Sequence, residues 1–120
     1  MEDVDIIYHN NTGISFKWKS GIANAGEKRI QLVFKDMGFY LSPEEVNVFS
    51  KNIRVAKNNK TNCKQCPHSE LCERKILLKS PLKKMDFVVN AFELNEICDL
   101  VEGTIFKMKL HNYVELVSRN

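Results

Sequence analysis

Met37-Gly38-Phe39-Tyr40-Leu41-Ser42-Pro43-Glu44-Glu45-Val46-Asn47 decides the fold, because the chain repeats it as Met85-Asp86-Phe87-Val88-Val89-Asn90-Ala91-Phe92-Glu93-Leu94-Asn95. Each run is a short strand, a polar residue able to cap a helix, and a glutamate three positions later. Ser42 and Asn90 can accept a first-turn amide, Glu45 and Glu93 can reach back to the cap, and Pro43 suits the first helical position. Met, Phe, the cap, Glu and Asn coincide at a constant offset; Phe49 falls on Ile97 and Ile53 on Val101. Capping rules alone produce some such matches. The constant offset is what reads as duplication. One strand–turn–helix unit cannot bury both its sheet face and its helix stripe, whereas two units can share a core.

Working outward, Val46, Phe49, Ile53 and Ala56 form one helical stripe, and Asn58-Asn59 ends that helix. Upstream, Ile14, Phe16 and Trp18 alternate with Ser15, Lys17 and Lys19. Ile30, Leu32 and Phe34 alternate with Gln31, Val33 and Lys35. These are two half-buried strands joined through the turn residues Ala23-Asn24-Ala25-Gly26, and they should pair antiparallel. A kink is expected between Asp36 and Gly38, where Gly38 permits a bulge or a tight turn, before Phe39-Tyr40-Leu41 continues as strand. Residues 1–12 show no clear period.

Downstream, Lys75-Ile76-Leu77-Leu78-Lys79 and Met85-Asp86-Phe87-Val88-Val89 read as strands separated by Ser80-Pro81-Leu82. The last helix carries Leu94, Ile97, Cys98, Val101, Ile105 and Met108 on one stripe. Gly103 weakens it by about 1 kcal/mol relative to Ala. Leu110 to Val117 is read as a continued or second helix.

The fold class predicted is α+β, a single domain over residues 1–120. One antiparallel sheet carries both helices on one face. It is built from two ββα-like repeats, at about 13–58 and 75–117, with a Cys-rich loop at 59–74 between them. The predicted core is Ile14, Phe16, Trp18, Ile30, Leu32, Phe34, Val46, Phe49, Phe87, Val89, Leu94, Ile97 and Val101.

Arg29-Ile30-Gln31-Leu32-Val33-Phe34-Lys35-Asp36-Met37-Gly38-Phe39 with its Glu-rich cap, and Arg74-Lys75-Ile76-Leu77-Leu78 leading to Met85-Asp86-Phe87-Val88-Val89-Asn90, carry a resemblance. On them the chain resembles a family of small uncharacterised Bacteroidetes proteins with a duplicated strand–helix unit, over roughly residues 13–105. Some members of that family carry a C-x-x-C just before the second strand. Here Ile22 to Gly26 stands in that place without a cysteine, so no metal site is carried over. The resemblance implies no established activity.

Of the four cysteines, Cys63, Cys66 and Cys72 lie in a C-x2-C-x5-C pattern. Two thiolates at C-x2-C spacing can grip one metal from a tight turn, and soft ligands suit zinc or an iron–sulfur cluster. The candidate fourth ligand is Cys98 or His68. Cys98 also reads as a buried thiol on an apolar stripe. The ten residues from Cys63 to Cys72 resemble the iron–sulfur staple of RecB-like nucleases. The nuclease core motif is not apparent, so no catalytic role is carried over. The alternative for this loop is reduced thiols or an adventitious disulfide.

The net charge of +3 hides an asymmetry. Between Lys51 and Lys84 ten basic residues face two acidic ones, a local +8 against −5 for the remainder. Lys51, Arg54 and Lys57 share a helix face, and Lys60 and Lys64 follow. Lys75, Lys79, Lys83 and Lys84 would extend the surface if the repeats pack together. The pattern fits weak nucleic-acid or acidic-protein binding, or a solvated face.

Hydrophobic content of 43% and charged content of 28% are ordinary for a soluble domain. No apolar run spans a membrane, and the acidic start Met1-Glu2-Asp3-Val4-Asp5 does not fit a signal peptide. A cytoplasmic location is expected, where clustered thiols point to metal or redox chemistry. His9 and His111 have no placed catalytic partner, and the aromatic residues read as core rather than as a base-stacking platform. The expectation is a non-enzymatic binding or structural module, with an iron–sulfur or thiol redox protein as the competing class.

Overall fold

In the computed structural model, which describes residues 4–19, 29–59, 76–82 and 84–118, the alternating segments become strands and the capped segments helices. The strands β1 (Val4–His9), β2 (Gly13–Trp18), β3 (Ile30–Phe34) and β4 (Met37–Leu41) form an antiparallel sheet in that order. Then come α1 (Pro43–Asn59), β5 (Ile76–Lys79), β6 (Asp86–Val89) and α2 (Ala91–Ser118). The fold is α+β. The described elements run four strands, a helix, two strands and a second helix.

The structure resolves two open readings and corrects one expectation. The first residues do hold a strand. β1 pairs with β2, but its register shifts between Ile6 and Tyr8. Such a bulge breaks the two-residue period by which a strand is recognised. Second, the described strands form two sheets rather than one: among the described residues β5 and β6 pair only with each other. Their short hairpin turns Ile76, Leu78, Phe87 and Val89 inward and packs β5 on α1. Third, of the bulge and the tight turn left open near Gly38, the chain takes a tight turn and reverses between β3 and β4. Lys35 (φ 53°) and Asp36 (φ 61°) both adopt the left-handed conformation of a two-residue hairpin turn. The proposed turn at Ala23–Gly26 lies outside the described residues.

Alternation states which residues share a face, not which face is buried. Gly13 pairs with Phe34 and Ser15 with Leu32, and Leu32 pairs with Phe39. This face is the one the helices cover. Ser15 and Thr104 of α2 hydrogen-bond through their hydroxyls at 2.6 Å, and Phe34 stacks on Phe49 of α1. Helix α2 approaches because β2 offers small residues here. A Cβ at Gly13 would lie 2.1 Å from the Val33 carbonyl oxygen and 3.0 Å from Leu100 Cδ2. Ile14, Phe16 and Trp18 therefore point to the opposite side, beside Val33, Gln31 and Tyr40. This corrects the expected core. Phe16 is buried but outside the main cluster, Ile14 is half-buried, and Trp18 is 40% exposed.

Phe34 is the hub of the core. Its ring lies 5.6 Å from Phe39, 5.9 Å from Phe49 and 5.3 Å from Phe87. Val46, Ile53 and Ala56 of α1 and Leu94, Ile97, Leu100 and Val101 of α2 close around it. The predicted core residues from Ile30 onward are all buried.

Both helix starts are reciprocal capping boxes. The Glu45 amide donates to Ser42 Oγ (3.2 Å), and the Ser42 amide donates to Glu45 Oε1 (2.8 Å). Asn90 and Glu93 repeat this at 2.7 and 3.0 Å. The Ser42 amide is the main cause holding the Glu45 carboxyl below its ordinary pKa, with the Ser42 hydroxyl and Arg29 adding to it and burial opposing. Ser42→Ala should cost about 1 kcal/mol in urea unfolding at neutral pH. A depressed carboxylate pKa stabilises the fold above its unfolded value and ceases to as pH falls through the folded one. The stability difference between wild type and Glu45→Gln should therefore be full near neutrality and shrink in acid. An undiminished difference in acid would contradict this cap.

Candidate functional site

The residues proposed from sequence divide in two. Cys63, Cys66, Cys72, His68, Lys60 and Lys64 lie outside the described residues, as do Lys75 and Lys83. Cys98 is described. It is half-buried on α2 and packs against the core, as expected of a thiol on an apolar stripe. Among the described residues no three His, Cys, Asp or Glu side chains are grouped to hold a metal ion.

On α1, Lys51 and Arg54 are exposed and Lys57 is half-buried. Arg54 reaches Glu102 of α2 at 3.6 Å, an exposed pair of small energetic value. Glu102 also accepts from Ser50. Asn52 donates to the carbonyls of Lys79 and Ser80, each at 3.3 Å. That bond fastens the end of β5 beside the basic row, so the backbone of Lys79 joins this surface. Lys84, with φ 70°, is exposed in the loop before β6.

A polar cluster that the sequence did not reveal sits where β1 meets α2. Asp99 accepts from the Tyr8 hydroxyl (2.9 and 3.1 Å) and from the Asn10 amide (3.0 Å). Asn10 also donates to the Glu96 carbonyl and accepts from the amides of Thr12 and Gly13. The bond to Asp99 is the largest cause raising the Tyr8 pKa. One asparagine thus shapes the turn and docks it on the helix. The Tyr8 ring lies over Gly103, where a Cβ would fall 2.5 Å from it. This explains a glycine inside a helix. The cluster is a staple between elements, and each polar group in it has a structural partner.

Two further surfaces were invisible in the pattern. The open face of the four-stranded sheet carries Ile6 (53% exposed), Trp18 and Tyr40, with the Phe16 ring edge-on to Trp18 at 5.4 Å. A groove of about 710 Å³ lies between the first half of β1 and the second half of α2. Asp5, Lys17, Lys107, Met108 and His111 are among its lining residues. It carries both signs of charge, and Asp5 stands opposite Lys17 in the β1–β2 register.

The last surface is the outer side of α2. The helix has 28 residues, and the molecule's long axis is 57 Å against 29 and 26 Å for the others. Past Gly103, Ile105 and Met108 still pack on the core. Phe106, Leu110, Tyr113, Val114 and Val117 instead remain 44–65% exposed. A helix apolar on both sides is normally buried on both.

A protein-family model described as a family of unknown function, DUF6686, matches residues 3–118. The chain belongs to this family. No curated protein and no solved structure matches it. Among the described residues no helix is long and apolar enough to cross a membrane.

Proposed function

We propose that the protein is a non-enzymatic contact module, a small α+β scaffold that presents apolar surface to a protein partner. The exposed half of α2 is its contact element. One observation carries this reading: five large apolar side chains within twelve residues of α2 stand on the side turned away from the core. The described polar clusters support it, because their members serve caps, turns and element docking. The two units with matching caps support descent from a duplicated strand–helix segment, as in small Bacteroidetes proteins. The cysteine cluster at Cys63, Cys66 and Cys72 fits a reducing, cytoplasmic compartment. In this reading the loop holds zinc or an iron–sulfur cluster as a structural element.

Dye binding tests the contact surface. Dilute wild type should enhance ANS fluorescence, and Phe106→Asp/Tyr113→Asp should reduce that enhancement with an unchanged circular dichroism spectrum. Equal enhancement by both proteins, or none by wild type, would refute the reading. Iron and zinc analysis of anaerobically purified protein tests the loop separately.

A second reading is favoured by the Asn52 bonds that bring the end of β5 to Lys51 and Arg54. It is weak nucleic-acid binding on this basic face. Affinity for duplex DNA should then fall with salt at a slope of about 0.9 per neutralised phosphate. It should also fall in Lys51→Glu/Arg54→Glu. No binding at low salt removes this reading.

A further inference from the structure

We propose that the exposed stripe of α2 is covered by the same stripe of a second copy, in an antiparallel helix pair. The proposal rests on the contact-module reading and names its partner. Phe106, Leu110, Tyr113 and Val117 recur at intervals of four, three and four. That is the seam spacing by which one helix packs on another, with Val114 beside it.

The available area suits a small dimer. Phe106 is 62% and Tyr113 65% exposed. An aromatic side chain buries 150–250 Å², so these two offer about 250 Å², and the three aliphatic side chains add a similar amount. About 500 Å² per copy gives about 1,000 Å² in the pair, the lower bound for a specific interface. An interface at that bound belongs with weak, reversible associations.

Sterics and charge choose the orientation. Gly103 lies seven residues before Leu110, at the equivalent seam position, and the Tyr8 ring covers it. In a parallel pair the two covered segments would meet side by side. In an antiparallel pair, with Phe106 beside the partner's Val117, they lie at opposite ends. Lys107 and Lys109 flank the stripe. The last turn of α2 itself contains no basic residue. With that register each copy's Lys107 falls beside the last turn of the other helix, its negative end, and Lys109 just before that turn.

Sedimentation equilibrium over the low to high micromolar range tests the proposal, comparing wild type with Leu110→Asp/Tyr113→Asp. Wild type should shift reversibly from the chain mass to twice that mass. The variant should remain monomeric with unchanged circular dichroism. Lys107→Glu/Lys109→Glu should weaken the dimer about 3- to 10-fold at low salt, and unchanged affinity would overturn the antiparallel arrangement. A variant that dimerises like wild type overturns the proposal. A monomeric wild type that still binds ANS through the stripe overturns self-pairing and leaves the contact reading standing. A monomer that binds no dye removes both.

Discussion

Phe34→Ala should lower the unfolding free energy by about 4 kcal/mol in urea titration. The residue is 1% exposed, and its ring touches those of Phe39, Phe49 and Phe87. These come from β4, α1 and β6, so one truncation opens a cavity where the sheet, the first helix and the second hairpin meet. Relaxation cannot fill it, because three large rings held by separate elements would have to move together. A domain of this size has about 5–15 kcal/mol in total, so the variant should sit near the edge of folding. A cost under about 1.5 kcal/mol would mean that the three elements do not meet on this ring.

Gly13→Ala is the second large effect, and adds only one methyl group. The new Cβ would sit 2.1 Å from the Val33 carbonyl oxygen and 2.8 Å from Phe34 Cβ. Neither can swing aside as a flexible side chain would. Relief requires β2 to part from β3 or α2 to lift from the sheet, so a loss of about 3 kcal/mol is expected. Gly38 supplies the control. Its added Cβ would meet mainly Gln31 Nε2, at 2.9 Å, the end of a side chain that can rotate. Gly38→Ala should be close to neutral. Equal costs at the two glycines would contradict the β2–α2 packing described here.

The capped segments were legible because capping chemistry is local. Ser42 with Glu45, and Asn90 with Glu93, make in three dimensions the bonds that their spacing announced. The stripes of α1 and α2 were legible for the same reason, since a helical period needs no partner to be read. What local pattern does not contain is the choice of face. Ile14, Phe16 and Trp18 alternate as clearly as Ile30, Leu32 and Phe34, but pairing Ser15 with Leu32 turns the first set away from the helices. The clue was the small residues Gly13 and Ser15, which gain meaning only once α2 is known to lie on them. In the same way Gly103 looked like a weak point until Tyr8 was placed over it.

The candidate surfaces were less legible than the fold. That Lys51 and Arg54 are exposed was legible, because a basic row on an amphipathic helix is a one-dimensional signal. The outer stripe of α2 was not. Its apolar residues follow the buried stripe without a break, and only the packing shows that the protein leaves them uncovered. Asp99 and Asn10 stand 89 positions apart and share no motif.

In the proposed pairing α2 keeps a second apolar side for a second copy. Solvent paramagnetic relaxation on aromatic and methyl resonances of Phe106, Leu110, Tyr113 and Val117 measures it most directly. In dilute protein a soluble nitroxide should broaden these resonances strongly while those of Phe34 and Leu100 stay sharp. On concentration the broadening at Leu110 and Tyr113 should fall, with that at Trp18 unchanged. Resonances of the stripe protected equally at every dilution, or broadened equally at the highest concentration, would contradict it.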